Sequence, residues 1–180
     1  MKKLAVILTV VGSCIISTQT KAQMTQGDFT FGAGLHLGLP LGDFHQTHSF
    51  GIGGQVQGEY AFTENISGAL TTGYTSFFGK TIDYTVAGAT YSTKLSSVGL
   101  IPIIVGPRFY PTEKIFVGVQ AGLGILTGSG SSTSAFDYNP QIGYNAESFQ
   151  AILGYNGLSK DGSTLSHLGL TFLYKFGGGK

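Results

Sequence analysis

The residue types able to do chemistry fall in two places in the chain. The first is a short cluster, Asp43, His45, His48 and Ser49. A serine with a base and an orienting acid is the raw material of nucleophilic catalysis. However, His48 and Ser49 are adjacent, and adjacent residues of an extended segment point to opposite sides. No enzyme-family motif surrounds them, so no catalytic residue is expected. His45 and His48 have a His-x-x-His spacing that offers two metal ligands, whereas zinc takes at least three from protein. Solvated loop histidines are expected, with no metal and no cofactor. Gly128-Ser129-Gly130-Ser131-Ser132 and Gly177-Gly178-Gly179 are flexible low-complexity pieces. Neither follows a strand and opens a helix, so neither is a phosphate loop.

The second place is dispersed: Glu59, Arg108, Lys175, Gln55, Gln57, Gln120, His36 and His167, with Asp137 and Gln150 of the same kind. All but Arg108 lie in segments where polar or tiny residues alternate with large apolar ones. An unpaired charge in a confined space is costly, so Glu59 is expected to pair with Arg108 or Lys175. His36 and His167 are expected close together, within reach of Glu59. The chemistry such a set supports is cohesion, or passage of a proton or small ion.

These residues need elements to carry them. Charged residues make up 11% of the chain, mean hydropathy is +0.20, and the formal charge is +1. Ordinary soluble domains carry about 25% charged residues; a membrane protein needs fewer. No nucleic-acid footprint is present. Met1-Lys2-Lys3, the apolar run Leu4–Ile16 and the polar stretch ending Thr20-Lys21-Ala22 form the layout of a secretory signal peptide over residues 1–22. The run is shorter than the ~20 apolar residues a helical span needs. Cleavage is expected after Ala22, which removes the lone Cys14. Residues 23–180 are one domain's length, and no later segment is apolar enough for a helical span.

With helices excluded, only a closed barrel can cross a bilayer, because every backbone donor and acceptor must be paired internally. Its signature is repeated segments of about 10 residues with alternating polarity. Phe29, Phe31, Ala33, Leu35, Leu37 and Leu39 alternate with Thr30, Gly32, Gly34, His36 and Gly38. Phe50, Ile52, Val56, Tyr60 and Phe62 alternate with Gln55, Gln57 and Glu59. Ile115, Val117, Val119, Leu123 and Ile125 alternate with Gly118, Gln120, Gly122 and Gly124. Leu168, Leu170, Phe172, Tyr174 and Phe176 alternate with His167, Gly169, Thr171 and Lys175. Segments 66–78, 134–144 and 149–158 follow the rule less cleanly. Segment 94–110 is apolar on both faces around Leu100-Ile101-Pro102-Ile103-Ile104, so its faces cannot be assigned. Pro102 cannot donate to a ladder, and a bulge or irregularity is expected there.

The connections alternate in length. Those at 40–49, 79–93, 127–133 and 159–164 read as long, and those at 63–65, 111–114 and 145–148 as short. Seven connections give eight strands, with short periplasmic turns, long external loops and both ends periplasmic. Segment 79–93 has strand character and is expected to extend its neighbours as a hairpin. Aromatics cluster at strand ends, including Tyr110 and Phe116 beside the short turns and Phe44, Phe77 and Tyr84 beside the long ones. They read as the two aromatic girdles of a membrane barrel.

Across these segments the chain resembles the small outer-membrane β-barrels of OmpA/OmpX type, and more closely the β-barrel domain common in Bacteroidetes-type bacteria. The resemblance rests on Ile101-Pro102-Ile103-Ile104-Val105-Gly106-Pro107-Arg108-Phe109-Tyr110, on Tyr138-Asn139-Pro140-Gln141-Ile142-Gly143-Tyr144, on Tyr155-Asn156-Gly157-Leu158-Ser159, and on the final His167–Tyr174 segment. The final segment is similar to the signal read by the barrel-assembly machinery, although Gly177–Lys180 follow where such chains often stop. The resemblance implies an all-β, eight-stranded antiparallel transmembrane up-and-down barrel in the bacterial outer membrane, surrounded by outer-membrane lipid.

The expected role is structural or interactive: a barrel with a filled polar lumen that presents its external loops to an extracellular protein or surface partner. The rivals are a small porin-like pore, an outer-membrane lipid-modifying enzyme, and a soluble ligand-binding barrel with its oily face inward.

Overall fold

The computed structural model describes residues 25–86, 89–128 and 130–176. The expected signal peptide, with Cys14, and Gly177–Lys180 lie outside the described residues. The strands are β1 (Phe29–Leu41), β2 (His48–Ala61), β3 (Ile66–Gly79), β4 (Thr81–Val86), β5 (Ala89–Lys94), β6 (Val98–Thr112), β7 (Ile115–Gly128), β8 (Ser131–Asn145), β9 (Phe149–Lys160) and β10 (Ser163–Phe176), with one short helix, α1 (Gly42–Thr47). Eight strands close into an antiparallel barrel in the order β1-β10-β9-β8-β7-β6-β3-β2. The first and last strands are zipped by a continuous register from Phe31–Phe176 to Leu41–Ser166. Among the described residues no helix is long and apolar enough to cross a membrane; the barrel crosses with strands.

The alternation sorts the faces. Leu35, Val56, Leu70, Val105, Leu123, Ile142 and Phe172 are exposed on the outside, while His36, Gln57, Thr71, Arg108, Gln120, Gln141 and Thr171 are buried inside. This is the reverse of a lipocalin-type barrel, whose oily face would point inward. An exterior ringed by large apolar side chains is the surface a bilayer requires.

The strand around Pro102 now has assigned faces. Leu100, Pro102, Ile104, Arg108 and Tyr110 are buried in the lumen, and Ile103, Val105 and Phe109 are exposed outside. Alternation fails there because the lumen itself is apolar at that height. No bulge occurs at Pro102. The β3–β6 register keeps the same offset from Thr72–Ile103 to Thr75–Leu100 and leaves the two positions between unpaired, which absorbs the missing N–H. The ladder is thus interrupted at Pro102 without a bulge; register shifts fall between Phe109 and Thr112 on β6 and between His48 and Gly51 on β2.

The connections expected to be external differ from the expected long loops. Segment 40–49 is largely ordered: β1 runs to Leu41, α1 follows, and β2 begins at His48. Strands β7 and β8 pair up to Gly128–Ser131, so that connection is two residues long. Strands β9 and β10 pair up to Lys160–Ser163. Asp161 and Gly162 between them have φ of 49° and 79°, the doubly left-handed geometry of a type I′ turn, for which Asp-Gly is a preferred pair. Segment 79–93 does contain a hairpin, yet β4 and β5 form their own two-stranded sheet and do not prolong the barrel ladder. The strict long–short alternation is therefore lost. Two connections, α1 and the β4–β5 hairpin, carry the structure at that end.

Four aromatics expected in the girdles are inside the barrel instead: Phe44, Phe77, Tyr110 and Phe116 are all buried. Phe29, Tyr60, Phe62, Phe109, Tyr174 and Phe176 are exposed, as girdle residues must be.

Candidate functional site

Strands β2, β3, β6, β8 and β9 aim polar side chains at one point in the lumen. Arg108, only 1% exposed, is its centre. Its Nη1 donates to Glu59 Oε2 at 2.9 Å and to Gln150 Oε1 at 3.3 Å. Its Nη2 donates to Gln57 Oε1 at 2.7 Å and to Gln141 Oε1 at 2.9 Å. The guanidinium also lies 4.4 Å from the centroid of the Phe116 ring, a cation–π distance. Glu59 is equally engaged. Its Oε1 accepts from Ser67 Oγ and Tyr110 Oη, each at 2.5 Å, and its Oε2 accepts from Gln150 Nε2 at 3.1 Å. Of the two cations weighed as partners for Glu59, the structure pairs Arg108 with it. Lys175 donates to Asn145 Oδ1 at 3.0 Å, an oxygen that Gln150 Nε2 also reaches.

The other named residues form smaller groups. Gln120 Nε2 donates to the Ala69 carbonyl at 2.8 Å and exchanges hydrogen bonds with Thr71. His36 Nδ1 is 2.7 Å from Thr171 Oγ1, and Thr171 donates on to Gln55 Oε1 at 3.2 Å. His36 and His167 do lie together, ring centroids 5.8 Å apart and nearly perpendicular. The histidines do not join the Glu59 group: no hydrogen bond of theirs leads to it among the described residues. His167 packs edge-on against Phe77 instead, at 5.0 Å.

Two apolar layers bracket the polar centre. Toward the short turns lie Tyr110, Phe116, Ile152 and Leu173. Toward the other end lie Phe44, Phe77, Leu100, Ala135 and Leu158. Helix α1 contributes Phe44, whose ring sits 5.0 Å from Phe77. Between the layers is a cavity of about 20 Å³ whose lining includes His36, Gln55, Gln120, Asn139 and Asn156. That is room for about one water.

The sequence alone gives no sign of several members. Tyr110 and Phe116 read as girdle aromatics, Ser67 and Thr71 as generic strand residues, and Gln141 as one polar residue among many. Asp137 is fully buried and neither of its carboxylate oxygens has a partner among the described residues.

The rim cluster does not assemble. Ser49 Oγ donates to the Phe78 carbonyl, His48 Nδ1 bonds Thr47, and Asp43 accepts from Gln46. His45 sits beside Lys80, which donates to its carbonyl. Among the described residues, no three His, Cys, Asp or Glu side chains are grouped to hold a metal.

Solved structures similar to this fold include three outer-membrane barrels. The attachment invasion locus protein Ail of Yersinia pestis matches with a TM-score of 0.54 at 14% identity, covering 84% of this chain and all of Ail. The outer-membrane protein OprG of Pseudomonas aeruginosa matches with a TM-score of 0.53 at 12% identity, covering 88% of this chain and all of OprG. The N-terminal β-barrel domain of Pseudomonas aeruginosa OprF matches with a TM-score of 0.52 at 16% identity, covering 84% of this chain and all of that domain. No protein-family model matches the chain, and no curated protein matches it by sequence. The likeness establishes the architecture, a small eight-stranded transmembrane barrel, and at these identities nothing finer.

Proposed function

We propose that this chain is a bacterial outer-membrane protein, exported by a signal peptide cleaved near Ala22. Its barrel is a filled, rigid stalk that presents α1 and the β4–β5 hairpin to a partner outside the cell. The observation that carries the reading is the lumen. A buried guanidinium makes four side-chain hydrogen bonds between two apolar layers, and the cavity beside it has room for about one water. Such a lumen suits a scaffold rather than a pore, and function then falls to what the barrel displays. The hairpin is a two-stranded sheet with unshared edges, built from β-branched and aromatic residues. An exposed edge of this kind pairs with an extended segment of a partner protein by strand addition. The attachment protein Ail has a similar barrel, which is consistent with display at a cell surface.

Membrane fractionation with heat-modifiable gel mobility tests the location. A protein that stays in the periplasmic soluble fraction overturns it. Planar-bilayer recording of the purified protein tests the filled lumen: a flat trace is expected, and discrete conductance steps would convert the scaffold into a pore.

A further inference from the structure

The outward face carries a second polar feature, away from the lumen. Ser76, Gly99, Thr127 and Ser132 form one register row across β3, β6, β7 and β8, because Ser76 pairs with Gly99, Gly99 with Thr127, and Thr127 with Ser132. The row lies just above the apolar band. One row down come Tyr74, Ile101 and Ile125, and below them Ile103 and Leu123. Near the same end of β1 and β2, the outward residues Leu39 and Phe50 are large, apolar and exposed. The hydroxyl row thus gives way to apolar residues on β1 and β2.

Gly99 makes a notch in the middle of the row. A Cβ placed there would stand 2.5 Å from both Tyr74 Oη and Thr127 Oγ1, so the tyrosine ring and the threonine converge over the bare backbone. Around the notch is an open groove of about 500 Å³, lined by Tyr74, Ser76, Ser97, Thr127 and Ser132 with glycines between, and by no charged residue. Among the described residues, the hydroxyls of Tyr74, Ser76, Thr127 and Ser132 have no hydrogen-bond partner.

We infer that this groove binds the uncharged saccharide headgroup of a glycolipid in the surrounding leaflet. A sugar ring offers an apolar C–H face to an aromatic ring and a rim of hydroxyls to side chains that both donate and accept. An anionic headgroup would call for Lys, Arg or a cluster of backbone N–H groups, and none lines the groove. A peptide strand would add at an open sheet edge, whereas the groove lies on the outward face of β3, β6 and β7, which are paired on both sides at Ser76, Gly99 and Thr127. The apolar strip below the groove, through Ile101, Ile103, Leu123 and Ile125, continues as a track for an acyl chain. This favours a saccharide carried by a lipid over a free one.

The inference rests on the membrane reading above. If the wild-type protein stays in solution without detergent, that reading fails on its own terms before any ligand is added. The direct test uses the full chain in detergent micelles, titrated with glucosyl-diacylglycerol and followed by amide NMR. Saturable shifts at Ser76, Gly99, Thr127 and Ser132 are expected. Tyr74→Ala should weaken the fitted affinity about tenfold, while the protein still shows heat-modifiable mobility. Ser132→Leu, on an exposed position that fills the groove, should do the same and serves if Tyr74→Ala does not fold. Diacylglycerol without the sugar should leave those amides unmoved. Equal shifts with it, no saturation by the glycolipid, or an affinity unchanged by the folded variants would overturn the inference. Glucose alone binding as tightly would overturn the lipid-borne source.

Discussion

Replacing Glu59 by glutamine keeps the shape of the side chain and removes the charge that Arg108 faces. In the native lumen the two carboxylate oxygens accept from Ser67, Tyr110, Gln150 and Arg108. A glutamine has one acceptor oxygen and one NH2. If the NH2 takes the Oε2 position, it meets the N–H groups of Arg108 and Gln150 head-on. If it takes the Oε1 position, Ser67 and Tyr110 must turn their hydroxyls away, and Arg108 keeps a hydrogen bond without a counter-charge. Both side chains of the pair are buried, 0% and 5% exposed, so solvent screening does not discount the loss. Removing one partner of a buried pair costs about 3–5 kcal/mol. The assay is equilibrium urea unfolding in phospholipid vesicles, with the folded fraction read from heat-modifiable mobility. The matching cycle adds Arg108→Met, which removes the stranded charge. The double variant should lose at least about 2 kcal/mol less than the sum of the two single losses. A Glu59→Gln loss below about 1 kcal/mol, or strict additivity, would refute the claim that this pair is the electrostatic centre of the lumen.

Other consequences are equally open to test. An added Cβ at Gly34 would overlap the Phe172 carbonyl oxygen and approach Leu173 Cα to 2.9 Å, whereas at Gly54 the nearest atom is 3.6 Å away. Gly34→Ala should therefore abolish the heat-modifiable band and Gly54→Ala should keep it; the opposite ranking would mean that the curvature of the wall does not depend on the bare backbone at Gly34. Val105 is 59% exposed on the outer face, and Val105→Arg should destabilise the lipid-embedded barrel by about 2–4 kcal/mol, measured by the same unfolding assay; a neutral result would put that face in water. Strands β4 and β5 pair with each other alone, so replacing residues 81–94 with a short Gly-Ser linker should leave barrel folding intact by gel mobility while abolishing any hairpin-dependent surface binding.

Most of the wall was legible because two solvents write two alphabets. Outward positions on β1, β2, β7 and β10 meet lipid and inward ones meet polar lumen, so the period of two is visible in the residues themselves. On β6 that contrast vanishes. Leu100 and Ile104 belong to the lumen's own apolar interior, and an apolar lumen position cannot be told from a lipid-facing one by type. The aromatics failed for a related reason. Tyr110 and Phe116 stand at strand ends, where girdle residues stand, and only parity separates inside from outside. For Phe116 the parity was present, since Ile115 and Val117 flank it; for Tyr110, on the ambiguous strand, it was not. Of the polar site, Glu59 could be named from alternation, and Arg108, on the ambiguous strand, only from its charge, which a lipid-facing wall does not carry. Their partners Gln141 and Gln150 come from strands β8 and β9, and only the closed register fixes which glutamines converge. The short turn at Asp161-Gly162 was written in the sequence as an Asp-Gly pair.

The zipper between β1 and β10 joins the residues that lie farthest apart in the chain. Every other barrel pairing except β3–β6 links strands that follow one another, so the sheet can grow by successive local hairpins. Closure alone waits for the last strand. Until Ser163–Phe176 arrives, the growing sheet has two bare edges, one of them β1, each able to template a foreign strand. The pairings are thus of two kinds, mostly local hairpins and one closing contact with a large loop-closure cost. The same geometry makes the final strand a checkpoint: a chain cut short before it is an open ribbon, exposed to aggregation and proteolysis, whatever the quality of the other seven strands.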